Sequence, residues 1–419
     1  MSATVPRRAL HAAWPDAWLL DGSRTPFVDY NGALALVSPI DLGIKAARAA
    51  LAQADVPPDD IGTVIVGSMA QASFDTYMTP RHVALYAGVP VEVPAHMVQR
   101  VCGTGIEAIM QAADATAHRG VDVALVVGTE SMSRNPIAAY THRGGFRMGQ
   151  VEFKDFLWEA LLDPSCGCTM GDTAENLARR HDITRDDVDG FAARSFARAL
   201  AARQSGFFAD EISPVISEAF ARDGLAARGI WLPRGIETVT QDSHVRASPA
   251  EVLAKIKPAF GGVQTGGNSS AVVDGAAAVM VCSGDYARAR GRAPLARIVA
   301  GTVVGCPPEI MGIGPVPAIE ALLAATGLAL GDIDRVEINE AFGAQVMACA
   351  RTLGLDEARL NVNGGAIAIG HPLGATGVRL ALTLGRELRR SGLRRGIASA
   401  CIGGGQGIAL LVENLAAEH

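Results

Sequence analysis

An internal repeat is the feature that most restricts the fold of this chain. Two segments share one order of elements at a constant offset: AALAQADVPPDDIGTVIV at 49–66 and ALLAATGLALGDIDRVEI at 321–338. In each segment, a helical pattern rich in alanine and leucine is followed by a short turn and an Asp-Ile pair that leads into a β-branched strand. The sequence therefore predicts a duplicated α/β unit.

The two copies stay parallel further along the chain. A helix start rich in small residues follows in each, CGTG at 102–105 and HPLG at 371–374, and then a strand-like run. The next strand comes directly after a glycine turn in the second copy, at 408–412. In the first copy it comes only after a long interval, within 268–281. A long insertion into the first copy is the simplest explanation.

A chain of 419 residues exceeds what one simple core usually buries, so we divide it. Residues 1–17 lack a long apolar stretch and are interpreted as a flexible extension. The first half of the core is assigned to 18–129 plus 250–284, the inserted loop domain to 130–249, and the second half to 285–419. Short apolar strands between helical patterns predict sheets covered on both faces, hence an α/β fold of five layers, α/β/α/β/α, with the loop domain over the active site.

Composition and charge exclude several classes of function. A net charge of −6 gives no general reason to expect nucleic-acid binding, and no sufficiently long apolar run predicts a membrane span. Seven cysteines, an odd number without a secretory signal, argue against a disulfide framework and favour a reducing cytoplasm. Cys166 and Cys168 are too close for an ordinary metal site and are interpreted as two thiols of an exposed loop.

Two cysteines and one histidine have unusually small neighbours. Cys102 lies in VCGTG, Cys401 in CIGGG, and His371 follows GGAIAIG. Small residues let a bulky reactant approach the backbone and leave main-chain N–H groups free to bind an anionic oxygen. A free cysteine alone is usually a small core residue, but the three motifs together indicate covalent acyl transfer.

These motifs resemble those of the thiolase family. The matching segments are CGTG at 102–105, NEAF at 339–342, NVNGGAIAIGHP at 361–372 and CIGGGQG at 401–407, with shorter matches in RTP at 24–26, MGDTAEN at 170–176 and DGAA at 274–277. The resemblance extends from about Trp18 to Glu413. It implies the duplicated five-layer fold with an inserted loop domain that the repeat also predicts.

The resemblance implies an acyltransferase, either an acetyl-CoA C-acetyltransferase or a 3-ketoacyl-CoA thiolase. Such an enzyme condenses an acyl-CoA with acetyl-CoA, or cleaves a 3-ketoacyl-CoA with coenzyme A, through an acyl-cysteine in a ping-pong sequence. The substrates are CoA thioesters, and neither a metal nor a redox cofactor is expected. Family membership also implies a homodimer or a homotetramer.

The resemblance assigns a role to each motif residue. Cys102 is expected to be the nucleophile, with a helix N-terminus and an imidazole favouring its thiolate. His371 is expected to draw its proton, and Cys401 to remove and return the C2 proton of the second thioester. The N–H groups of Cys102 and Gly403 are expected to form an oxyanion hole together with His371. Asn339 is expected to hold a water at the enolate oxygen, although helix N-caps are also common at such a position.

Five side chains are predicted to contact the substrate. Ser270 matches a family serine that contacts the pantetheine arm, and Met170, Met311 and Phe342 match residues that line the acyl and pantetheine pocket. Each of the last three is equally compatible with an ordinary core position. Arg246 is expected to meet a CoA phosphate, although it lies one position off the usual register.

Departures from the family pattern leave acyl-chain preference and reaction direction open. GGNSSA at 266–271 stands where the family commonly has AGNASG, and Thr169 stands where biosynthetic members often have histidine. CGTG, in contrast, is closer to the CGSG of biosynthetic members. Two alternative functions remain: a ketoacyl-synthase-like enzyme using carrier-protein substrates, which would not need the thiol of Cys401, and a non-catalytic thiolase-like scaffold or lipid-binding subunit.

Overall fold

A computed structural model describes residues 9–70, 73, 75–139, 144–291 and 293–418. Its strands are β1 (Leu10–Arg24), β2 (Val28–Asp29), β3 (Thr63–Gly67), β4 (Ala95–Val98), β5 (Val123–Ser131), β6 (Ile137–Ala139), β7 (Phe153–Asp155), β8 (Leu162–Asp163), β9 (Cys168–Thr169), β10 (Val215–Ile216), β11 (Glu218–Phe220), β12 (Arg228–Ile230), β13 (Thr238–Val239), β14 (Val273–Ser283), β15 (Ala296–Gly305), β16 (Arg335–Ile338), β17 (Arg395–Ile402) and β18 (Gln406–Glu413). Its α-helices are α1 (Pro39–Ala54), α2 (Thr79–Tyr86), α3 (Thr104–His118), α4 (Phe156–Ala160), α5 (Met170–Arg180), α6 (Arg185–Gln204), α7 (Ala250–Leu253), α8 (Gly284–Ala289), α9 (Pro315–Thr326), α10 (Gly343–Leu353), α11 (Ala366–Ile369) and α12 (Leu373–Ser391). None of these helices is long and apolar enough to cross a bilayer.

The strands of the two halves pair in the same pattern. In the first half, β3 runs parallel to β5, β5 antiparallel to β14, and β14 antiparallel to β1. In the second half, β16 runs parallel to β17, β17 antiparallel to β18, and β18 antiparallel to β15. The strand order is β16-β17-β18-β15-β1-β14-β5-β3-β4, and β2 pairs with β14 off this path. This pairing confirms the predicted duplication.

Helices lie between and outside the two groups of strands. The paired central helices α3 and α12 contact strands of both halves, while α1 and α2 cover the outer face of the first half. On the other side, α9 packs on β15, β17 and β18, with α10 packed against α9. The order α/β/α/β/α is therefore the predicted five-layer architecture.

The central helices touch each other backbone to backbone at two glycines. A Cβ at Gly105 of α3 would lie 2.5 Å from the amide nitrogen of Val378, and one at Gly377 of α12 would lie 2.3 Å from that of Ile106. No real side chain fits such a gap, so glycine is required on both helices. Because each contact lies in the first turns of its helix, the crossing brings the N-termini of α3 and α12 together.

The prediction that residues 1–17 are a flexible extension is wrong for residues 10–17. These residues begin β1, which pairs with β15 from Leu10 to Leu19 and with β14 from Ala17 to Arg24, and so joins the strands of both halves. The register shifts between Ala13 and Ala17, where Pro15 interrupts the pairing. Residues 1–8 lie outside the described part of the chain.

The inserted segment occupies the connection from β5 to β14. The loop domain was predicted at 130–249, whereas β5 continues to Ser131 and β14 begins only at Val273. The long helices of this segment, α5 and α6, pack on α10 of the second half, and α7 packs on α6. The insertion from the first half is thus seated on the second half.

Candidate active site

Cys102 lies in a tight turn just before α3. The hydroxyl of Thr104 closes this turn, because it accepts the N–H of Arg100 at 2.8 Å and donates to the carbonyl of Val101 at 2.6 Å. Val101 is held at φ 44°, a left-handed conformation that a β-branched residue rarely adopts. Such strain is typical of functional sites and fixes the direction of the next side chain. The thiol is buried in a small apolar cluster with Met69, Met132 and Leu373.

His371 is held at the start of α12 with a defined tautomer. Its Nδ1 lies 2.6 Å from Oγ1 of Thr376, whose hydroxyl donates to the carbonyl of Pro372 at 3.3 Å. The hydroxyl hydrogen is therefore used, so Nδ1 carries the proton and donates to Thr376. The lone pair of Nε2 faces the side-chain amide of Asn339, with 3.3 Å between Nε2 and Nδ2. This imidazole can accept a proton at Nε2.

Cys401 lies at the end of β17, directly before the turn to β18. Its side chain is fully buried in a cluster with Met311 and Ala341, against which Met170 and Phe342 pack. The turn that follows has φ 85° at Gly404 and 86° at Gly405, conformations that only glycine adopts without strain. These glycines allow the chain to reverse within three residues of the cysteine.

Gly403 connects the second half to the nucleophile. Its main-chain N–H faces the thiol of Cys102 and acts to lower the pKa of that thiol. A Cβ at Gly403 would lie 3.3 Å from the sulfur of Met170 and 3.5 Å from Val101. The glycine therefore leaves space for a reactant at a point where an N–H group already faces the nucleophile. Such a group can stabilise an oxyanion that forms on the carbon attacked by Cys102.

Burial keeps the reactive groups neutral at rest. It raises the pKa of Cys102 to about 11, with a further contribution from the Glu130 carboxylate, and lowers the pKa of His371 to about 3, assisted by the charge of Arg379. Burial also raises the pKa of Cys401 well above that of a free thiol. Burial of Cys102 thus opposes the thiolate that the helix N-terminus favours, so the thiol has to lose its proton during the reaction.

A cavity of about 470 Å³ opens onto Cys102 and His371. Four of the five predicted substrate contacts line it: Met170, Ser270, Met311 and Phe342. Most of its other walls are apolar and come from the inserted segment, including Leu157, Trp158, Leu161, Ala259, Phe260 and Val272. Cys401 is not among the lining residues, but it packs against four of them, which are Met170, Met311, Ala341 and Phe342. The insertion therefore forms the walls of a cleft whose reactive groups come from the core.

Arg246 is the predicted substrate contact that does not line this cavity. Its guanidinium lies over the ring of Phe196, 5.6 Å from the ring centre, and one of its nitrogens is 3.2 Å from Nδ1 of His244. Its side chain is exposed. The contact with a CoA phosphate stays a prediction.

Two buried glutamates hold the site together and were missed in the sequence. Glu130 accepts hydrogen bonds from the main-chain N–H groups of Met69, Ala70 and Gly374, so it ties the start of α12 to the loop after β3. Glu340 accepts the hydroxyl of Ser195 at 2.6 Å and thereby joins α6 to the second half. Glu130 lies at the end of β5 and Glu340 two residues after β16, so an acidic residue near the end of an apolar strand was the available signal in both cases.

Comparison with known proteins agrees with this geometry. The family description "Thiolase, N-terminal domain" matches residues 18–285, and "Thiolase, C-terminal domain" matches 292–414. The chain is 43% identical to the mitochondrial 3-ketoacyl-CoA thiolase of Bos taurus over 403 residues, 95% of this chain and 98% of the relative. It is 40% identical to the acetyl-CoA acetyltransferase of Thiocystis violacea over 400 residues, again 95% and 98%.

A solved structure gives the same result for the fold. The crystal structure of human mitochondrial 3-ketoacyl-CoA thiolase in complex with CoA superposes with a TM-score of 0.89 at 41% identity, covering 95% of this chain and 98% of that one. Domain order, fold and sequence thus agree over nearly the whole chain. The chain therefore belongs to the thiolase family, and it is an acyltransferase that joins or cleaves CoA thioesters through the reversible Claisen chemistry of that family.

Proposed function

We propose that this thiolase prefers 3-ketoacyl-CoAs longer than acetoacetyl-CoA. The observation that carries this proposal is the apolar wall beside the nucleophile. Leu157 and Ala160 of α4 pack on the same cluster as Cys102. The cavity continues from there along Trp158 and Leu161. An acyl chain attached to Cys102 would extend along these side chains, and each methylene buried there contributes about 0.8 kcal/mol.

In the first step of thiolysis, Cys102 attacks the C3 carbonyl of the substrate while Nε2 of His371 takes the thiol proton. The carbonyl oxygen becomes an anion, which the N–H groups of Cys102 and Gly403 stabilise. The bond between C2 and C3 then breaks, which leaves an acyl group on Cys102 and the enolate of acetyl-CoA. The thiol of Cys401 donates a proton to C2 of this enolate and becomes a thiolate.

In the second step, coenzyme A takes the acyl group. Its thiol gives its proton to the Cys401 thiolate and attacks the acyl carbon. The sulfur of Cys102 leaves and recovers its proton from the imidazolium of His371. All protons and bonds then balance, and condensation is the same sequence in reverse.

We assign to Asn339 the positioning of the enolate oxygen. Its side-chain amide meets Nε2 of His371, and its Oδ1 is buried without a hydrogen-bond donor among the described residues. A buried acceptor of this kind can hold a water. The amide and the imidazole would then face the same substrate oxygen, which supports the role predicted from the NEAF motif.

A chain-length series tests the proposed preference. The kcat/KM of thiolysis would be measured with acetoacetyl-CoA, 3-ketohexanoyl-CoA and 3-ketooctanoyl-CoA at fixed coenzyme A. We expect kcat/KM to rise about fourfold per added methylene until the wall is covered, the factor that corresponds to 0.8 kcal/mol. A maximum at acetoacetyl-CoA with a steady decline beyond it would contradict the proposal and assign the enzyme to short-chain substrates.

We also propose that the chain assembles as a homodimer or a homotetramer. Large apolar side chains stand exposed on the surface, among them Leu36, Tyr77, Met148 and Phe153. Exposed apolar surface of this kind is typical of interaction sites. Light scattering on the purified protein would measure the mass, and a monomer at micromolar concentration would contradict the assignment. The cytoplasmic location stays a prediction.

A further inference from the structure

The hairpin of β8 and β9 carries two thiols that the reaction does not use. Its turn is closed by the N–H of Gly167, which donates to the carbonyl of Asp163 at 2.9 Å, and the Asp163 carboxylate accepts the N–H and the hydroxyl of Ser165. Cys166 lies in this turn and Cys168 begins β9, both half-buried. The thiol of Cys168 donates to the carbonyl of Cys166 at 3.6 Å, and the thiol of Cys166 donates to the carbonyl of Asp163 at 3.9 Å.

The backbone between the two cysteines gives the spacing that a disulfide needs. Gly167 has φ 67°, in the left-handed helical region. A helical residue of either hand places the Cα atoms of its two neighbours about 5.4 Å apart, as follows from the rise and radius of the helix. Disulfides join Cα atoms separated by about 4.4–6.8 Å. A Cβ placed on Gly167 would meet no atom of the described chain within 4 Å, so the turn has room to adjust.

We propose that Cys166 and Cys168 form a reversible disulfide that alters the substrate cavity. With a hydroperoxide as oxidant, the sulfur of one cysteine attacks the peroxide oxygen, the O–O bond breaks, and a sulfenic acid forms with release of water or an alcohol. The second sulfur then attacks the first, the S–S bond forms and water leaves. Two thiols thereby lose two electrons and two protons to one peroxide, and a cellular dithiol or thiol reverses the change.

The order of attack follows from the surroundings of the pair. Burial, the adjacent Cys166 thiol and the charge of Asp172 raise the pKa of Cys168 and keep it protonated. Nucleophilic attack requires a thiolate. Cys166 is therefore assigned the first attack. Its conversion to a neutral sulfenic acid removes the Cys166 contribution to the raised pKa of Cys168, so Cys168 can then form the thiolate that resolves the sulfenic acid.

The hairpin is directly connected to the catalytic cleft. Thr169 follows Cys168 and caps α5, its Oγ1 accepting the N–H of Asp172 at 3.2 Å. Thr169 and Met170 both line the cavity, and the sulfur of Met170 lies beside Gly403. A disulfide that draws Cys168 toward Cys166 would shift these two residues. A displacement of about 1 Å in a residue that positions the substrate can change turnover greatly, so such a shift would alter substrate binding.

The first arm of the test measures the disulfide itself. The full-length enzyme would be treated with hydrogen peroxide, free thiols would be alkylated, and the protein would be digested with trypsin. Cleavage after Lys154 and Arg179 releases a peptide that contains Cys166 and Cys168 and no other cysteine. We expect this peptide to lose the mass of two hydrogens and to remain unalkylated. Treatment with dithiothreitol is expected to reverse both changes. A peptide that stays fully alkylated while other cysteines oxidise would overturn the proposal.

The second arm measures the effect on the cavity, and it rests on the proposed function. Oxidation of Cys102 inactivates the enzyme molecule completely. It therefore lowers the apparent kcat of the sample without changing the KM of the molecules that remain active. A loop disulfide leaves the catalytic groups intact and changes KM. We expect the KM for 3-ketoacyl-CoA to rise at least about threefold on oxidation of the wild type, since ground-state binding is weakened.

Cys166→Ser is the matched control for this arm, because it retains Cys168 and every catalytic group. Its KM is expected to stay constant under the same treatment. If the disulfide formed in the wild type while its KM stayed unchanged, the proposal that the disulfide alters the substrate cavity would be overturned. An equal rise in KM in the wild type and in Cys166→Ser would overturn it as well, by placing the change outside the pair. If the chain-length series contradicted the proposed substrate preference, the peptide measurement could still detect the disulfide. The proposed substrate preference and the proposed disulfide therefore fail separately.

Discussion

The two halves differ most in the connection between their last two strands. In the second half, β17 reaches β18 through three glycines, and this turn places the N–H of Gly403 at the thiol of Cys102. In the first half, the equivalent strands β5 and β14 are separated by the whole inserted segment, which supplies most walls of the cavity. The short connection therefore serves the chemistry, and the long one serves the choice of substrate.

This difference predicts two kinds of mutational effect. Changes at the starts of α3 and α12 or in the glycine turn affect groups that act on the reacting atoms, so they should lower kcat for every substrate. Changes in the inserted segment affect only the contact with the acyl chain and the pantetheine arm. They should change the ratio of kcat/KM between substrates of different length.

The largest effect is expected from removal of either catalytic thiol. Cys102→Ala removes the nucleophile and Cys401→Ala removes the proton donor, and each should lower kcat by at least about 10³-fold on all chain lengths. Thiolysis of acetoacetyl-CoA and 3-ketooctanoyl-CoA would be followed for both variants. Cys282→Ala, which removes a fully buried thiol of β14, is the control and should retain activity. Turnover by Cys102→Ala above one hundredth of the wild type would refute the acyl-cysteine route.

The next effect concerns the protonation state of the nucleophile. Because the pKa of Cys102 is raised to about 11, its thiolate fraction should grow about tenfold per pH unit below that value. Alkylation of Cys102 by iodoacetamide should accordingly accelerate about a hundredfold between pH 7 and pH 9. The modified peptide would be quantified by mass spectrometry. A rate that is constant over this range would instead indicate a resting ion pair with His371.

Local sequence patterns were sufficient to predict the duplicated core. The turn and Asp-Ile pair of each repeat lead into β3 and β16, and the small-residue motifs lead into α3 and α12, as expected. These elements are determined by contacts between near neighbours in the chain. The motifs also indicated the residues of the cleft, since glycines at a helix crossing and in a tight turn leave a visible pattern.

Features that depend on distant contacts could not be predicted in this way. The first part of β1 is stabilised by pairing with β15, far away in the sequence, and its own pattern is broken by Pro15 at the shift in register. The pKa of Cys102 depends on burial by residues from both halves, and a motif alone suggests only the opposing effect of the helix N-terminus.

Substitution of Thr376 is expected to have a smaller effect, and it tests how the catalytic histidine is positioned. Thr376→Val keeps the shape of the side chain but removes the acceptor for Nδ1–H of His371, so Nε2 is no longer held as the proton acceptor. We expect kcat to fall about 10- to 100-fold with little change in KM. Thr376→Ser restores the hydroxyl and should recover most of the activity. Equal losses in both variants would show that packing, and not the hydrogen bond, is responsible.

The smallest effect is expected in the inserted segment, where Trp158 forms part of the cavity wall. Trp158→Ala removes apolar surface that contacts a long acyl chain but not a short one. It should lower kcat/KM for 3-ketooctanoyl-CoA about fivefold relative to acetoacetyl-CoA, which corresponds to about 1 kcal/mol of lost burial. Trp231→Ala is the matched control, because this indole is exposed in the same segment and does not line the cavity. An equal loss of kcat/KM on both substrates would mean that Trp158 also affects catalysis. It would contradict the assignment of catalysis to the short connection and of substrate choice to the long one.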